Sequence, residues 1–220
     1  MAIKRPFIVE IHLQIQAAFW SEAQQQLETT LKDRPLEKYK ISPLYLTHDA
    51  EDTEIRLCLQ FKDPVLLERF IVEEIHKRVL GILGTRVRLT LNGEVFENGV
   101  AKLMSGEPSI KSCHVFLSVE SSMSEAVWES LSGLTEACGV CPAWLFRDFY
   151  EFNRDITVRL VGESEEALRR YVDQHISKIA GIRIWRLQFI KATTQIASKE
   201  HLMGLASSWF DVKRTLLRAK

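Results

Sequence analysis

Seven side chains of this sequence place a cationic or titratable head within strand-like alternation. They are His12, Arg56, Arg86 and Arg88 in the first half, and His114, Arg159 and Arg186 in the second. A guanidinium grips carboxylate or phosphate with paired contacts. An imidazole can serve as acid, base or ligand near neutral pH. Gathered on one sheet face, such groups would bind a small anion. The same groups could instead be consumed in ion pairs, with Glu10 and Glu120 as partners, because isolated buried charge is costly. Both readings stay open, and no catalytic residue is singled out.

A second candidate is CGVCP, Cys138 to Pro142. A redox dithiol needs the start of a helix to lower its thiol pKa, and a zinc site needs a further ligand pair at matching spacing. Here a helical pattern ends near Ala137, Gly139 reads as a helix stop, and Pro142 leads into the apolar AWLF. His114 and His201 are isolated. The expectation is a structural helix-to-strand turn, with no metal and no cofactor.

The chain has 220 residues, 46% apolar and 26% charged, with Lys plus Arg and Asp plus Glu equal at 29 each. That balance suits a globular protein with a core. It lacks the basic excess of a nucleic-acid binder, so no direct nucleic-acid contact is expected. No apolar run approaches the roughly 20 residues of a membrane span. No signal peptide is read at the N-terminus, so no membrane partner and a cytoplasmic location are expected.

The elements that must position these residues come in two copies. LERFIVEEIHKRVLGILGTRVRLTL, from Leu67, is answered by LRRYVDQHISKIAGIRIWRLQFI, from Leu168, with Gly81 matching Gly181 and Arg86 matching Arg186. SPLYL is answered by CPAWL, and FIVEIHLQI by CHVFLSVE. Alternation marks strands and i, i+4 apolar spacing marks helices. Each half therefore reads strand, helix, strand, strand, helix, strand. Asp63 before Pro64, and Ser164 in the second copy, read as helix caps. The expected fold is α+β: two ferredoxin-like βαββαβ units in tandem. The first would span residues 1–98, a Gly- and Ser-rich linker 99–111, the second unit 112–197 and a C-terminal amphipathic helix 198–220.

On ESLSGLTEACGVCPAWLF and NRDITVRLVGESEEALRRYVDQHISKIAGIRIWRLQFI, the second half resembles the effector-binding (RAM, ACT-like) domain of the Lrp/AsnC family. Asp155 and the pair Gly181-Ile182 carry the match, and the first half is similar more loosely through VLGILGTRVRLTL. No helix-turn-helix precedes Phe7. The resemblance implies an oligomeric regulatory module that binds an anionic metabolite or amino acid without reading DNA itself. A homo-oligomer and a protein partner are then the expected company. It implies an alternative as well: an enzyme of the dimeric α+β-barrel type, such as a sirohaem-decarboxylase-like protein, using His and Arg on the open sheet face.

Overall fold

The computed structural model describes residues 7–32, 36–149 and 155–198. The expected C-terminal helix lies outside the described residues beyond Ser198. In chain order the elements are β1 (Phe7–Ile15), α1 (Trp20–Lys32), α2 (Leu36–Tyr39), β2 (Ile41–Asp49), β3 (Glu54–Phe61), α3 (Pro64–Phe70), β4 (Ile82–Val95) and α4 (Glu97–Leu103). They continue with β5 (Lys111–Val119), α5 (Ser124–Ser132), β6 (Cys141–Phe149), β7 (Asp155–Gly162), α6 (Glu165–Tyr171) and β8 (Ile182–Gln195). This is a mixed α+β fold built on antiparallel sheet.

Contacts divide the chain into two compact units, one of residues up to Leu89 with Lys191–Ala197, the other of Thr90–Ile190. Strand order is β4–β1–β3–β2 in the first and β8–β5–β7–β6 in the second. In the first, Val9, Ile11 and Leu13 of β1 face Ala23, Leu27 and Leu31 of α1 and Leu67 and Phe70 of α3. In the second, Cys113, Val115 and Leu117 face Val127 and Leu131 of α5 and Leu168 and Tyr171 of α6. Two-residue alternation thus turns every second side chain of each strand into a core.

The caps read from sequence are present. Asp63 accepts from the Val65 N–H at 3.0 Å, with Pro64 next in the helix. Ser164 accepts from the Ala167 N–H at 3.1 Å. Both α3 and α6 run on into a π-helical turn, Ile71–His76 and Val172–Ile176. Each is followed by a left-handed glycine, Gly81 at φ +74° and Gly181 at φ +83°.

Two expectations need correction. CGVCP is not a helix-to-strand turn: α5 already ends at Ser132. Cys138 (φ +53°) and Gly139 (φ +74°) are instead the central pair of a tight turn, closed by mutual backbone hydrogen bonds of Ala137 and Val140 at 3.0 and 2.9 Å. Positive φ at both central residues is the type I′ geometry of hairpins. Second, the stretch 99–111 does not begin as a linker, since α4 occupies Glu97–Leu103. Gly99 serves close approach there: a Cβ would stand 1.9 Å from the Pro142 carbonyl oxygen. β4 and β8, at 14 residues each, start in one unit and finish in the other.

Candidate functional site

The face of the first unit's sheet opposite its helices carries polar side chains. On β1 these are Glu10 and His12, and in register with them on β3 are Cys58 and Arg56. Glu54, two residues before Arg56, falls on the same face. Tyr45 reaches it through a bulge. Pro43 pairs with Leu59, yet Tyr45 pairs with Cys58, so Leu44 is the extra residue. Without that bulge, Tyr45 would oppose Leu57 and point into the core. Proline donates no ladder hydrogen bond, which favours the irregularity at this point. The Leu44 carbonyl is satisfied from outside the ladder, by the N–H groups of Ile196 and Ala197 at 3.1 and 3.0 Å.

These residues form a continuous chain of contacts. Tyr45 O–H donates to Glu10 Oε1 at 3.0 Å. Glu10 Oε2 stands 3.4 Å from His12 Nε2, a contact that falls short of hydrogen-bond geometry. His12 Nδ1 lies 3.0 Å from Glu54 Oε1, and Arg56 Nε donates to that same oxygen at 2.5 Å. Burial alone would raise the Glu54 pKa, but the His12 hydrogen bond and the Arg56 charge outweigh it and hold the carboxyl well below its usual range. An ionised Glu54 only accepts, so His12 Nδ1 carries the proton between them. Glu10, His12 and Arg56 are 1%, 6% and 1% exposed, whereas the Glu54 side chain is 17% exposed. The turn that delivers Glu54 is built by buried Asp49, whose Oδ1 accepts from the N–H groups of Thr53 and Glu54 at 2.8 and 3.0 Å. Its Oδ2 accepts from Thr53 Oγ1 at 2.7 Å.

The second unit repeats the framework with different chemistry. His114 pairs with Arg159 across β5 and β7 and with Gln188 on β8. Pro142 pairs with Leu160 and Trp144 with Arg159, so a bulge at the equivalent place turns Trp144 onto the polar face. Arg159 donates to Ser112 Oγ at 3.1 Å and lies 4.8 Å from the centre of the Trp144 ring. Trp144 stacks on Phe146 at 6.1 Å, and the His114 ring meets Phe116 edge-on at 6.0 Å. Both His114 and Arg159 are fully buried. This face sets aromatic rings around the Arg159 guanidinium, where the first is a network of acids, base and phenol.

Of the seven residues read from sequence, the structure brings His12 and Arg56 into direct contact with one carboxylate, and sets His114 against Arg159 in register. Arg88 is buried on β4, Arg186 is half-buried on β8 opposite Phe116, and Arg86 is exposed. Glu120 is exposed just beyond the end of β5, where its N–H donates to the Gly181 carbonyl. Glu54 and Tyr45 were missed. Period-two spacing from Arg56 could have found Glu54, and Pro43 was the available signal for the bulge that turns Tyr45. Cys141 is buried beside Glu136 in a shallow cavity of about 390 Å³ lined also by Phe96, Glu97 and Leu134. Burial and the Glu136 carboxyl push its thiol pKa up, the opposite of a redox-active cysteine. Among the described residues no cluster of three or more His, Cys, Asp or Glu could hold a metal, and no helix is long and apolar enough to cross a membrane.

No family model and no curated protein matches the sequence. Solved structures do match in three dimensions. An anthrone oxidase-like protein superposes with a TM-score of 0.56 at 10% identity, over 90% of this chain and 96% of the other. A "putative monooxygenase" from Lactobacillus acidophilus NCFM gives 0.55 at 13% identity, over 87% and 97%. A chlorite dismutase mutant from Candidatus Nitrospira defluvii gives 0.51 at 8%, over 84% and 92%. The likeness is one of fold, a mixed α+β architecture with a large antiparallel sheet. The polar sheet face is where the described residues concentrate titratable groups.

Proposed function

We propose that this chain is an enzyme of the dimeric α+β-barrel type that removes a proton from an acidic organic substrate, a phenol or an enolisable ketone, and prepares the resulting anion for oxidation. The carrying observation is the unbroken run Tyr45–Glu10–His12–Glu54–Arg56. Buried ion networks are a poor route to stability, and titratable groups gathered this densely are a usual mark of functional sites. His12 is the proton-exchanging centre, its ring fixed through Nδ1 by Glu54 as the carboxylate of a catalytic triad fixes its histidine. Arg56 supplies positive charge beside the developing anion.

The fold likeness supports an enzyme over a regulatory module, since two of the similar structures bear oxidase and monooxygenase names. Nothing in it favours Lrp/AsnC effector domains within the broader class. We read each unit as a ferredoxin-like βαββαβ module, supported by the strand orders β4–β1–β3–β2 and β8–β5–β7–β6. An anionic form of the substrate is the small ligand expected from the sequence, and a homo-oligomer remains part of the proposal.

The test is dioxygen uptake by the purified protein with anthrone as substrate. Uptake is expected to fall about a hundredfold or more in His12→Gln, the usual scale of general acid–base catalysis. Equal uptake by parent and variant, or none by either, would sink the proposal for this substrate class.

A further inference from the structure

The run of contacts has two unlike ends, and that asymmetry assigns a direction. Tyr45 is 4% exposed and Glu10 1%, while at the other end the Glu54 side chain is 17% exposed. Every member but Arg56 can both accept and release a proton. Resting on the reading of this face as a proton-removing site, we infer that Tyr45, Glu10, His12 and Glu54 form a proton wire, with Tyr45 taking the substrate's proton and Glu54 discharging to solvent.

The transfers balance. The substrate's X–H bond breaks as a new O–H bond forms on Tyr45 Oη. The proton Tyr45 held passes to Glu10 Oε1. As the Glu10 carboxyl turns, that proton is handed to His12 Nε2, and Glu10 is left ionised as it began. His12 Nδ1 then releases its own proton to Glu54 Oε1, from which it leaves to water. One proton enters and one departs, and the substrate is left as an anion at Tyr45. The contact that gates the wire is Glu10 Oε2 to His12 Nε2, because at 3.4 Å it is the one link out of hydrogen-bond geometry. Closing it by a few tenths of an ångström brings it into the normal N–H···O range.

Among the described residues, Glu10 on its own strand and Glu54 on β3 meet His12 directly, and Arg56 on β3 stands in register with it. The inference therefore makes a statement about His12 in the full-length protein without substrate. Its ring nitrogens, observed by ¹⁵N NMR on histidine-labelled protein, should show Nδ1 protonated. Tyr45→Phe should move the Nε2 resonance, because the phenol holds Glu10, while leaving Nδ1 in place. Glu54→Gln should do the reverse. Glu10→Gln, which keeps the shape and removes the acid, should move Nε2 more than Tyr45→Phe does. If Tyr45→Phe and Glu10→Gln both leave Nε2 unmoved, the wire does not exist, whatever the enzyme assay shows. If the resonances behave as stated but anthrone draws no dioxygen, the wire stands and the substrate class falls.

Discussion

Glu54 receives two donors on a single oxygen, and its acidity follows from that. The folded carboxyl is held below its ordinary value of 4.5 by His12 and Arg56 against the opposing effect of burial. A depressed folded pKa stabilises in full above the unfolded value, and the contribution fades as pH falls from there towards the folded value. His48 behaves similarly in a higher window. Its ring sits edge-on to Trp20 with centroids 5.8 Å apart, and burial holds its pKa below 6.5 against the carboxylates of Glu28, Asp52 and Asp49. The unfolded imidazole takes a proton first, so stability falls as pH drops below about 6.5. Urea midpoints should decline in two stages on acidification. His48→Phe should remove the first decline, and Glu54→Gln the second, below about 4.5. Persistence of the first decline in His48→Phe would assign it to another group. At this scale the sequence was partly legible. Alternation located His12 and Arg56, whose positions depend only on period two. It misplaced Glu120, because β5 ends one residue earlier, at Val119, and a strand's last residue is set by what packs beyond it.

Elements carry their own lesson through glycine. Gly81 and Gly106 are both left-handed, at φ +74° and +70°, but a Cβ on Gly81 would meet Phe19 Cβ at 2.5 Å, while none of the described atoms lies within 4 Å on Gly106. Gly106→Ala should therefore cost backbone strain alone, about 1–2 kcal/mol. Gly81→Ala adds a steric clash worth a further 1–3 kcal/mol or so. Thermal melting of the two variants separates the effects, and equal losses would mean that Phe19 yields freely. The order of elements, the caps at Asp63 and Ser164, and the paired glycines could all be read from local signals. The bulges at Leu44 and Ala143 could not, because a bulge is defined by a partner strand distant in sequence. They nevertheless decide which face Tyr45 and Trp144 occupy. The CGVCP turn was misread for a related reason: positive φ at Gly139 suits a helix end or a hairpin equally, and only the pairing of Ala137 with Val140 chooses.

At the scale of the whole molecule, the first unit is completed by residues from far along the chain. It needs Lys191–Ala197. Within it, Ile196 and Ala197 bond the Leu44 carbonyl, and Lys191 pairs with Asp52 at 2.5 Å. In the second, Phe96 bonds the Ala143 carbonyl at 2.9 Å, at the equivalent bulge. A chain truncated after Ile190 should lose amide protection around Leu44, although the cut lies far away in sequence. Hydrogen exchange resolved by residue would show this, and unchanged protection on β2 would contradict it. This arrangement is not legible in the repeats, because β4 and β8 each run on past the end of one unit of contact and into the other.

That dependence reaches back to synthesis. A ribosome delivers the chain from its N-terminus, so β1, β2 and β3 emerge long before the residues that clasp the Leu44 bulge. While they wait, the Leu44 carbonyl lacks its two backbone donors, and the bulge that sets Tyr45 on the polar face stays unclasped. The first half of this protein is translated first and finished last.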